Sequence, residues 1–158
     1  MTEHSGTALG LGRIVSGLFV LTTGSGKAAT GMLTSFVQQA GFEPPAITVA
    51  VKKGRPILDQ LRETKQFCVS VLHDGSMSLL AHFARGFEPG APAFEGVAIE
   101  EAQNGVPYLA EAHAHLACEV IGEADWTDHV IVCGRVLDGG RLDDDQPLTH
   151  VRKNGLSY

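Results

Sequence analysis

Two groups of polar side chains in this sequence have the residue types and spacing that chemistry requires. The first is the hydroxyl pair Thr34 and Ser35, at the end of a strand-like stretch. The second is the basic stretch 52–55, Lys-Lys-Gly-Arg, directly before Pro56, where a helix is expected to begin. Hydroxyls can read the edge of an aromatic ring, while cations and helix-terminal N–H groups hold a phosphate. Together they predict a site for a phosphate-bearing aromatic cofactor.

Each group also has an ordinary structural explanation. The basic trio Lys52, Lys53 and Arg55 can be a solvated charge cluster beside a helix. Thr34 and Ser35 can be turn residues whose hydroxyls bond the local backbone. On the residues alone, both alternatives stay open.

Composition limits the classes of protein to consider. A chain of 158 residues with 44% hydrophobic residues is long enough for one core, so we predict a single domain over residues 1–158. Twelve Lys and Arg against eighteen Asp and Glu give a net charge of −6, the wrong sign for a nucleic-acid partner. The apolar run 14–21 contains Ser16 and Gly17 and is too short to span a bilayer, so no membrane association is expected.

The compartment is predicted from the cysteines and the N-terminus. Cys68, Cys118 and Cys133 lie in apolar, strand-like segments without C-x-x-C spacing, which indicates buried free thiols in a reducing cytoplasm. The first residues lack the basic region of a signal peptide. We therefore predict a cytoplasmic protein.

The elements that position the two polar groups are mostly strands. Hydrophobic periodicity predicts strands at 17–23, 28–36 and 46–51, taken as three successive antiparallel strands, and further strands at 67–72, 97–101, 112–125 and 129–142. Short helices are predicted at 8–14, from Pro56 onward and at 76–83, the last with Ser76 as its N-cap. A loop is predicted at 85–92, and turns at 104–105, 126–128 and 138–140. This order favours a closed antiparallel barrel over a parallel α/β sheet.

The common nucleotide fingerprints are absent. Gly10-Leu11-Gly12 has Val15 where a dinucleotide site needs its third glycine, and it precedes a strand instead of following one. Gly26-Lys27 is followed by Ala28 instead of the Ser or Thr of a P-loop. Neither a Rossmann site nor a P-loop is predicted.

Two histidine patterns have residue types that could also do chemistry. His113 and His115 lie two apart on a predicted strand, with Glu119 further along the same face, which is the spacing of a metal site. The two histidines can also occupy a solvent or subunit-facing surface opposite the core. We predict no metal. Asp128-His129 can be a catalytic carboxylate and imidazole, but no G-x-S-x-G motif or activated cysteine supplies a nucleophile. A hydrolase is not supported.

The ordered set of segments resembles a known family. Residues 31–36 and 42–45 are similar to the flavin-binding segment of the flavin reductase-like, FMN-binding split-barrel family. The likeness continues in chain order through 67–72, 80–84, 94–96, 116–120, 128–136, 147–148 and 155–158, which covers nearly the whole chain.

The resemblance implies a fold, a cofactor and a set of contacts. It implies a mainly β, Greek-key split β-barrel with a few short helices, as a homodimer that holds FMN, with FAD less favoured, near the subunit interface. His129 would lie near the open face where nicotinamide stacks, and Thr34 would donate near the flavin N5 or O4. The implied cofactor contacts are Met32, Leu33, Thr34, Ser35 and Gln39 for the ring, Lys52, Lys53, Gly54, Arg55 and Pro56 for the phosphate, and Phe83, Ala84 and Arg85 nearby.

The implied reaction is hydride transfer from NADH or NADPH to the flavin, with electrons passed on to a monooxygenase, another acceptor or oxygen. The cofactor carries this chemistry, so no nucleophilic triad is needed. Two other functions remain: an FMN-binding electron-transfer or flavin-carrier module without NAD(P)H activity, and a barrel without a ligand.

Overall fold

The fold was obtained as a computed structural model that describes residues 5–158. The helices are α1 (Gly6–Gly12), α2 (Pro56–Thr64) and α3 (Met77–Ala84), with a 3-10 turn at Gly26–Ala28. The strands are β1 (Ser16–Gly17), β2 (Phe19–Thr23), β3 (Thr30–Thr34), β4 (Val37–Phe42), β5 (Pro45–Lys52), β6 (Gln66–Val71), β7 (Ile99–Glu101), β8 (Pro107–Leu109), β9 (Ala114–Asp125), β10 (His129–Arg141) and β11 (Thr149–His150).

Seven strands form one antiparallel sheet in the order β3-β2-β6-β9-β10-β5-β4. Its two edge strands, β3 and β4, are consecutive in the chain and joined only by Ser35 and Phe36. The two ends of the sheet must therefore meet, so the sheet curls into a barrel, and within residues 5–158 its seam has no β3–β4 ladder. This is the predicted split barrel of Greek-key type.

The core follows from the apolar residues that alternate along the strands. Leu21, Val49, Phe67 and Val132 are buried in the barrel interior, and Ile57, Leu58 and Leu61 of α2 close it. A second cluster forms where α3 packs its Leu79 and Phe83 against Val20 and Leu72. Burial of such side chains stabilises the fold by about 1.5–3 kcal/mol each. The two clusters fix α2 and α3 on either side of β3.

Gly134 in β10 gives a stability prediction. A Cβ at this position would lie 2.6 Å from Cε1 of the fully buried Phe67 ring and 3.1 Å from Cβ of Cys118. Gly134→Ala is therefore expected to lower the free energy of unfolding by about 1–3 kcal/mol. Urea denaturation checks it, with Gly122→Ala in β9 as the control, because a Cβ there meets nothing within 4 Å. Equal stability of the two variants would contradict the packing argument.

Several strand predictions need correction. The strands at 17–23 and 28–36 pair as β2 and β3, but the third, β5, pairs with β4 and β10 instead. Strand β4 was not predicted; it begins directly after the corner at 35–36. The turn predicted at 138–140 is absent, because β10 continues through it opposite β9. Gly139 serves close strand approach there: a Cβ would lie 2.7 Å from the His115 carbonyl oxygen.

The three helix predictions agree with the structure except in detail, and the chain turns at 104–105 and 126–128 as predicted. α1 covers 6–12 instead of 8–14, with the Ser5 hydroxyl accepting from the Ala8 N–H at 3.2 Å. Ser76 stands at the N-cap of α3, but its hydroxyl accepts from the His73 N–H at 3.0 Å and not from the helix. No helix in residues 5–158 has the length and apolar character needed to cross a bilayer.

The three cysteines are free thiols, as predicted. Cys68 and Cys118 are buried, and burial raises the pKa of each thiol to about 12. Cys133 is only half-buried, contrary to the prediction that all three are buried. Its ladder neighbours are Thr48 of β5, which is also half-buried, and the exposed Gly122 of β9.

Candidate functional site

A first cleft of about 560 Å³ lies between α2 and β3. Met32, Arg55 and Pro56 line it, and its volume is typical of small-molecule sites. Arg55 is the N-cap of α2 but makes no side-chain capping bond. Pro56 has no N–H and the Leu58 N–H donates to the Arg55 carbonyl at 3.0 Å, so among the first three helical residues the Ile57 N–H is the one left available to a ligand. Further along α2 the wall becomes acidic, with Asp59 and Glu63. Only the Arg55 end of this cleft suits an anion.

The predicted phosphate-binding residues form the turn between β5 and α2. Gly54 has a φ of +87°, a conformation that favours glycine. Lys53 is held on the β9–β10 hairpin, because its ammonium pairs with Asp125 and its N–H donates to the Asp128 carbonyl at 2.9 Å. Within residues 5–158, Lys52 and Arg55 form no ion pair. These two cations are therefore free to hold a phosphate.

A second cleft, of about 530 Å³, contains the predicted ring-binding hydroxyls. Leu33, Thr34 and Ser35 line one wall, and the segment 150–154 with Ser157 and Tyr158 lines the other. The Thr34 hydroxyl accepts from the Phe36 N–H at 3.3 Å, so it shapes the β3–β4 corner while keeping its proton to donate. Ser35 is 7% exposed, and its hydroxyl has no hydrogen-bond partner in the part of the chain described. A half-satisfied and an unpaired hydroxyl thus face this cleft.

His129 begins β10 directly opposite Lys52 of β5. Its Nδ1 lies 2.9 Å from Oδ1 of Asp128, and its Nε2 lies 2.5 Å from the Tyr158 hydroxyl. The hydrogen bond with His129 lowers the pKa of Asp128, and the charge of Lys52 acts in the same direction. Phe36 flanks the imidazole with its ring centroid 5.4 Å away. The imidazole therefore lies at the junction of the basic turn and the β3–β4 corner.

Other predicted contact residues lie apart from these clefts. Gln39 is on edge strand β4, lines a third, apolar cleft of about 650 Å³, and donates its amide to the Gly41 carbonyl at 3.4 Å. Phe83 is 1% exposed and packs beneath β3, where a Cβ on Gly31 would lie 2.9 Å from its ring. Ala84 and Arg85 are exposed, with the Arg85 guanidinium over Phe87, which lines the first cleft. Contact between these residues and a cofactor stays a prediction.

His113, just before β9, and His115 within it do not face solvent, contrary to one of the two surfaces considered for them. His113 and His115 are both buried, at 9% exposed. The His115 ring stacks on Tyr108 at 3.8 Å, and burial lowers its pKa, which favours the neutral imidazole. Nδ1 of His113 is 2.7 Å from Asp143, away from Glu119, which pairs with Arg135. The predicted spacing does not bring the three residues together.

A different group, His73, Asp143 and Asp145, meets near His113. Both ring nitrogens of His73 are already engaged: Nδ1 accepts from the Gly75 N–H at 3.0 Å, and Nε2 donates to the Glu111 carbonyl at 3.1 Å. One oxygen of Asp143 accepts both from the Asp145 N–H and from His113. These hydrogen bonds attach the loop after β10 to the rest of the fold. This structural role is favoured, and a metal site is disfavoured, because the ligand atoms are already engaged.

Sequence reasoning missed the aromatic wall of the site. Tyr158 and Phe36 flank His129, and the Arg152 guanidinium lies 5.0 Å from the Phe36 ring centroid. Residues 155–158 carried a family likeness but no expected role. Their position depends on contacts with residues more than a hundred positions earlier, such as Gly155 N–H to the Ala8 carbonyl at 2.8 Å, which local pattern cannot reveal.

Comparisons of sequence and of structure both find that the chain is similar to flavin reductases and flavoproteins. The sequence profile of the flavin reductase like domain matches residues 11–155. A putative diflavin flavoprotein A 3 of Synechocystis is 38% identical over 99% of the chain, but the chain spans only 26% of that relative's length. The NADH:FAD oxidoreductase SgcE6 of Streptomyces globisporus is 27% identical with a TM-score of 0.84, covering 90% of this chain and 85% of SgcE6. BorF, the flavin reductase component of a bacterial two-component tryptophan halogenase, is 25% identical with a TM-score of 0.83, covering 92% and 91% of the two chains.

Proposed function

Because the chain belongs to the flavin reductase like domain family, we propose that it binds FMN and acts as a flavin reductase with NADH or NADPH as the electron donor. The observation that carries the proposal is the first cleft, where the uncapped N-terminus of α2 and Arg55 open onto the same space as Met32 of β3. Such a helix terminus with a free cation is suited to a phosphate. We favour FMN over FAD because Asp59 and Glu63 on the same wall oppose a second phosphate.

The residues of both clefts fit this cofactor by their chemistry. Arg55 and Lys52 would hold the phosphate, and the hydroxyls of Thr34 and Ser35 would donate to the edge of the ring. When bound, the flavin accepts a hydride at N5 and passes electrons on, either to a monooxygenase, to another acceptor or to oxygen. His129 would border the face that the nicotinamide uses. Phe36 and Leu33 would exclude water from that face.

The assembly and location are also part of the proposal. We propose one domain over residues 1–158 that forms a homodimer with the flavin near the subunit interface. The exposed Trp126, at the tip of the β9–β10 hairpin, and the apolar third cleft offer surface for such contacts. Three free cysteines, two of them buried, support a reducing cytoplasm. BorF is one component of a two-component halogenase, and this likeness supports a partner enzyme that consumes reduced flavin.

One observation favours a second function, a flavin-binding electron-transfer module that does not react with nicotinamide. Relatives that are 38–41% identical are diflavin flavoproteins, and the chain spans about a quarter of their length. In a longer protein, such a domain can receive electrons from a neighbouring centre instead of from NAD(P)H. The site chemistry above serves either function, because the flavin is held in the same way.

Anaerobic stopped-flow mixing separates the two. We expect the FMN-loaded protein to lose its flavin absorbance on mixing with NADH or NADPH. Bound flavin that is bleached by neither nucleotide would overturn the reductase and leave the electron-transfer module. Protein that binds neither FMN nor FAD would overturn both.

A further inference from the structure

The hydroxyl of Tyr158 and the carboxylate of Asp128 hold the His129 imidazole from opposite sides. Oδ1 of Asp128 lies 2.9 Å from Nδ1 of His129, and the Tyr158 hydroxyl lies 2.5 Å from Nε2. A carboxylate can only accept, so Nδ1 carries the proton and Nε2 receives the phenol O–H when the ring is neutral. The chain of hydrogen bonds Asp128–His129–Tyr158 therefore selects one tautomer and one ring orientation.

Tyr158 is 69% exposed, and two neighbouring rings contact it. Its ring centroid lies 5.9 Å from that of Phe36 and 6.0 Å from that of His129. Arg152, in the same C-terminal segment, places its guanidinium 5.0 Å from the Phe36 ring centroid. Such aromatic and cation–π contacts favour a fixed arrangement of the three rings.

The C-terminal segment is itself attached to α1. The Arg152 N–H donates to the Gly12 carbonyl at 3.2 Å, and the Gly155 N–H donates to the Ala8 carbonyl at 2.8 Å. Gly155 allows this close approach, since a Cβ there would lie 2.6 Å from the Gly12 nitrogen. The position of Tyr158 thus depends on how α1 is docked.

Tyr158 lines the second cleft beside Ser35, and its hydroxyl lies beside His129. Desolvation is the main cause that raises the pKa of Tyr158, while the charge of Arg55 lowers it, and the phenol stays protonated and able to donate. The hydroxyl is therefore a donor at the edge of the second cleft.

We propose that Tyr158 is a positioning residue: at the edge of the second cleft it donates to Nε2 of His129 and, together with Asp128, fixes the orientation and the Nδ1-protonated tautomer of the imidazole. Docking of α1 through Gly155 sets the position of Tyr158. The role in the reaction rests on the flavin reductase function proposed above. The contact between Tyr158 and His129 does not, so the two can be tested separately.

The first test uses flavin-free protein and needs no activity. Nitrogen-15 NMR of the histidine side chains is expected to show one neutral His129 tautomer in the natural chain, with the proton on Nδ1. Asp128 still favours a proton on Nδ1 in both variants, so Tyr158→Phe and Gly155→Ala are expected to shift the Nε2 signal and to lower the share of this tautomer, because Nε2 loses the phenol donor. Leu156→Ala, in the same segment but outside the cleft lining, is expected to keep it. Unchanged His129 signals in Tyr158→Phe would overturn the proposal.

The second test uses the FMN-loaded protein. Tyr158→Phe is expected to lower the rate of flavin bleaching at saturating NADH or NADPH about tenfold, while the Kd for FMN changes less than twofold. Changed His129 signals with an unchanged bleaching rate would overturn the role in the reaction. If the natural chain is not bleached, the proposed reductase function fails, and the NMR result still decides whether Tyr158 positions His129.

Discussion

Replacement of Arg55 by alanine is expected to weaken FMN binding by about 10- to 100-fold and to leave riboflavin binding unchanged. Arg55 lines the first cleft at the N-terminus of α2, and within residues 5–158 it has no acidic partner. A hydrogen bond to a charged group contributes about 1.5–3 kcal/mol, and each 1.4 kcal/mol changes an affinity tenfold. Riboflavin lacks the phosphate, so it should not register the loss.

Titration by quenching of flavin fluorescence measures both affinities. Arg62→Ala is the matched control, because it removes the same charge from the last turn of the same helix, where Arg62 pairs with Glu123 outside the cleft. The FMN affinity of this control should change less than twofold. An equal loss for FMN and riboflavin in Arg55→Ala would place Arg55 at the ring, and no loss for either would remove the phosphate from this cleft.

The sequence was sufficient for the parts of the fold that local pattern determines. Pro56 and the spacing of Ile57, Leu58 and Leu61 predicted α2, and the structure buries those three side chains against the barrel. The basic turn before Pro56 was found in the same way, since a cation at a helix N-terminus is a local arrangement. The family likeness then supplied the barrel, which periodicity alone indicated only as a closed antiparallel sheet.

The predictions that failed were those that depended on distant partners. Asp138-Gly139-Gly140 has the composition of a turn, but β9 pairs along its whole length and needs a glycine for close approach. His113 and His115 have the alternation of a half-exposed strand, but Asp143 and Tyr108 cover them from elsewhere in the chain. Local composition cannot predict such contacts, because the residues that decide burial and strand pairing are distant in the chain.

Tyr158 shows the same limit within the candidate site. Taken alone, a tyrosine after Gly155-Leu156-Ser157 predicts nothing about His129, which lies 29 positions earlier. The contact requires α1, the C-terminal segment and the β9–β10 hairpin to meet, with Gly12 and Gly155 allowing the approach. Sequence reasoning therefore identified the groups that could bind a cofactor but not the residue that orients the imidazole beside them.

His129→Ala is expected to slow bleaching of the bound flavin by NADH or NADPH about 100-fold while the Kd for FMN changes less than twofold. The phosphate and ring-edge contacts proposed above come from Arg55, Lys52 and the hydroxyls of Thr34 and Ser35, so affinity does not depend on the imidazole. The imidazole borders the face on which the nicotinamide must be placed, and loss of alignment by about 1 Å can cost about 100-fold in rate. The effect should therefore fall on the reaction and not on flavin binding.

The effect of Asp128→Asn follows from the same hydrogen bonds. A neutral amide binds the Nδ1 proton of His129 less strongly than the carboxylate, whose pKa the imidazole lowers, so a smaller loss of about tenfold is expected. Arg141→Ala, at the far end of β10, serves as the control and should be bleached at the natural rate.

If His129→Ala is also bleached at the natural rate, the nicotinamide does not use the face beside His129. A loss confined to FMN affinity would instead make the imidazole a flavin ligand, because an alignment residue lowers the rate at saturating nucleotide.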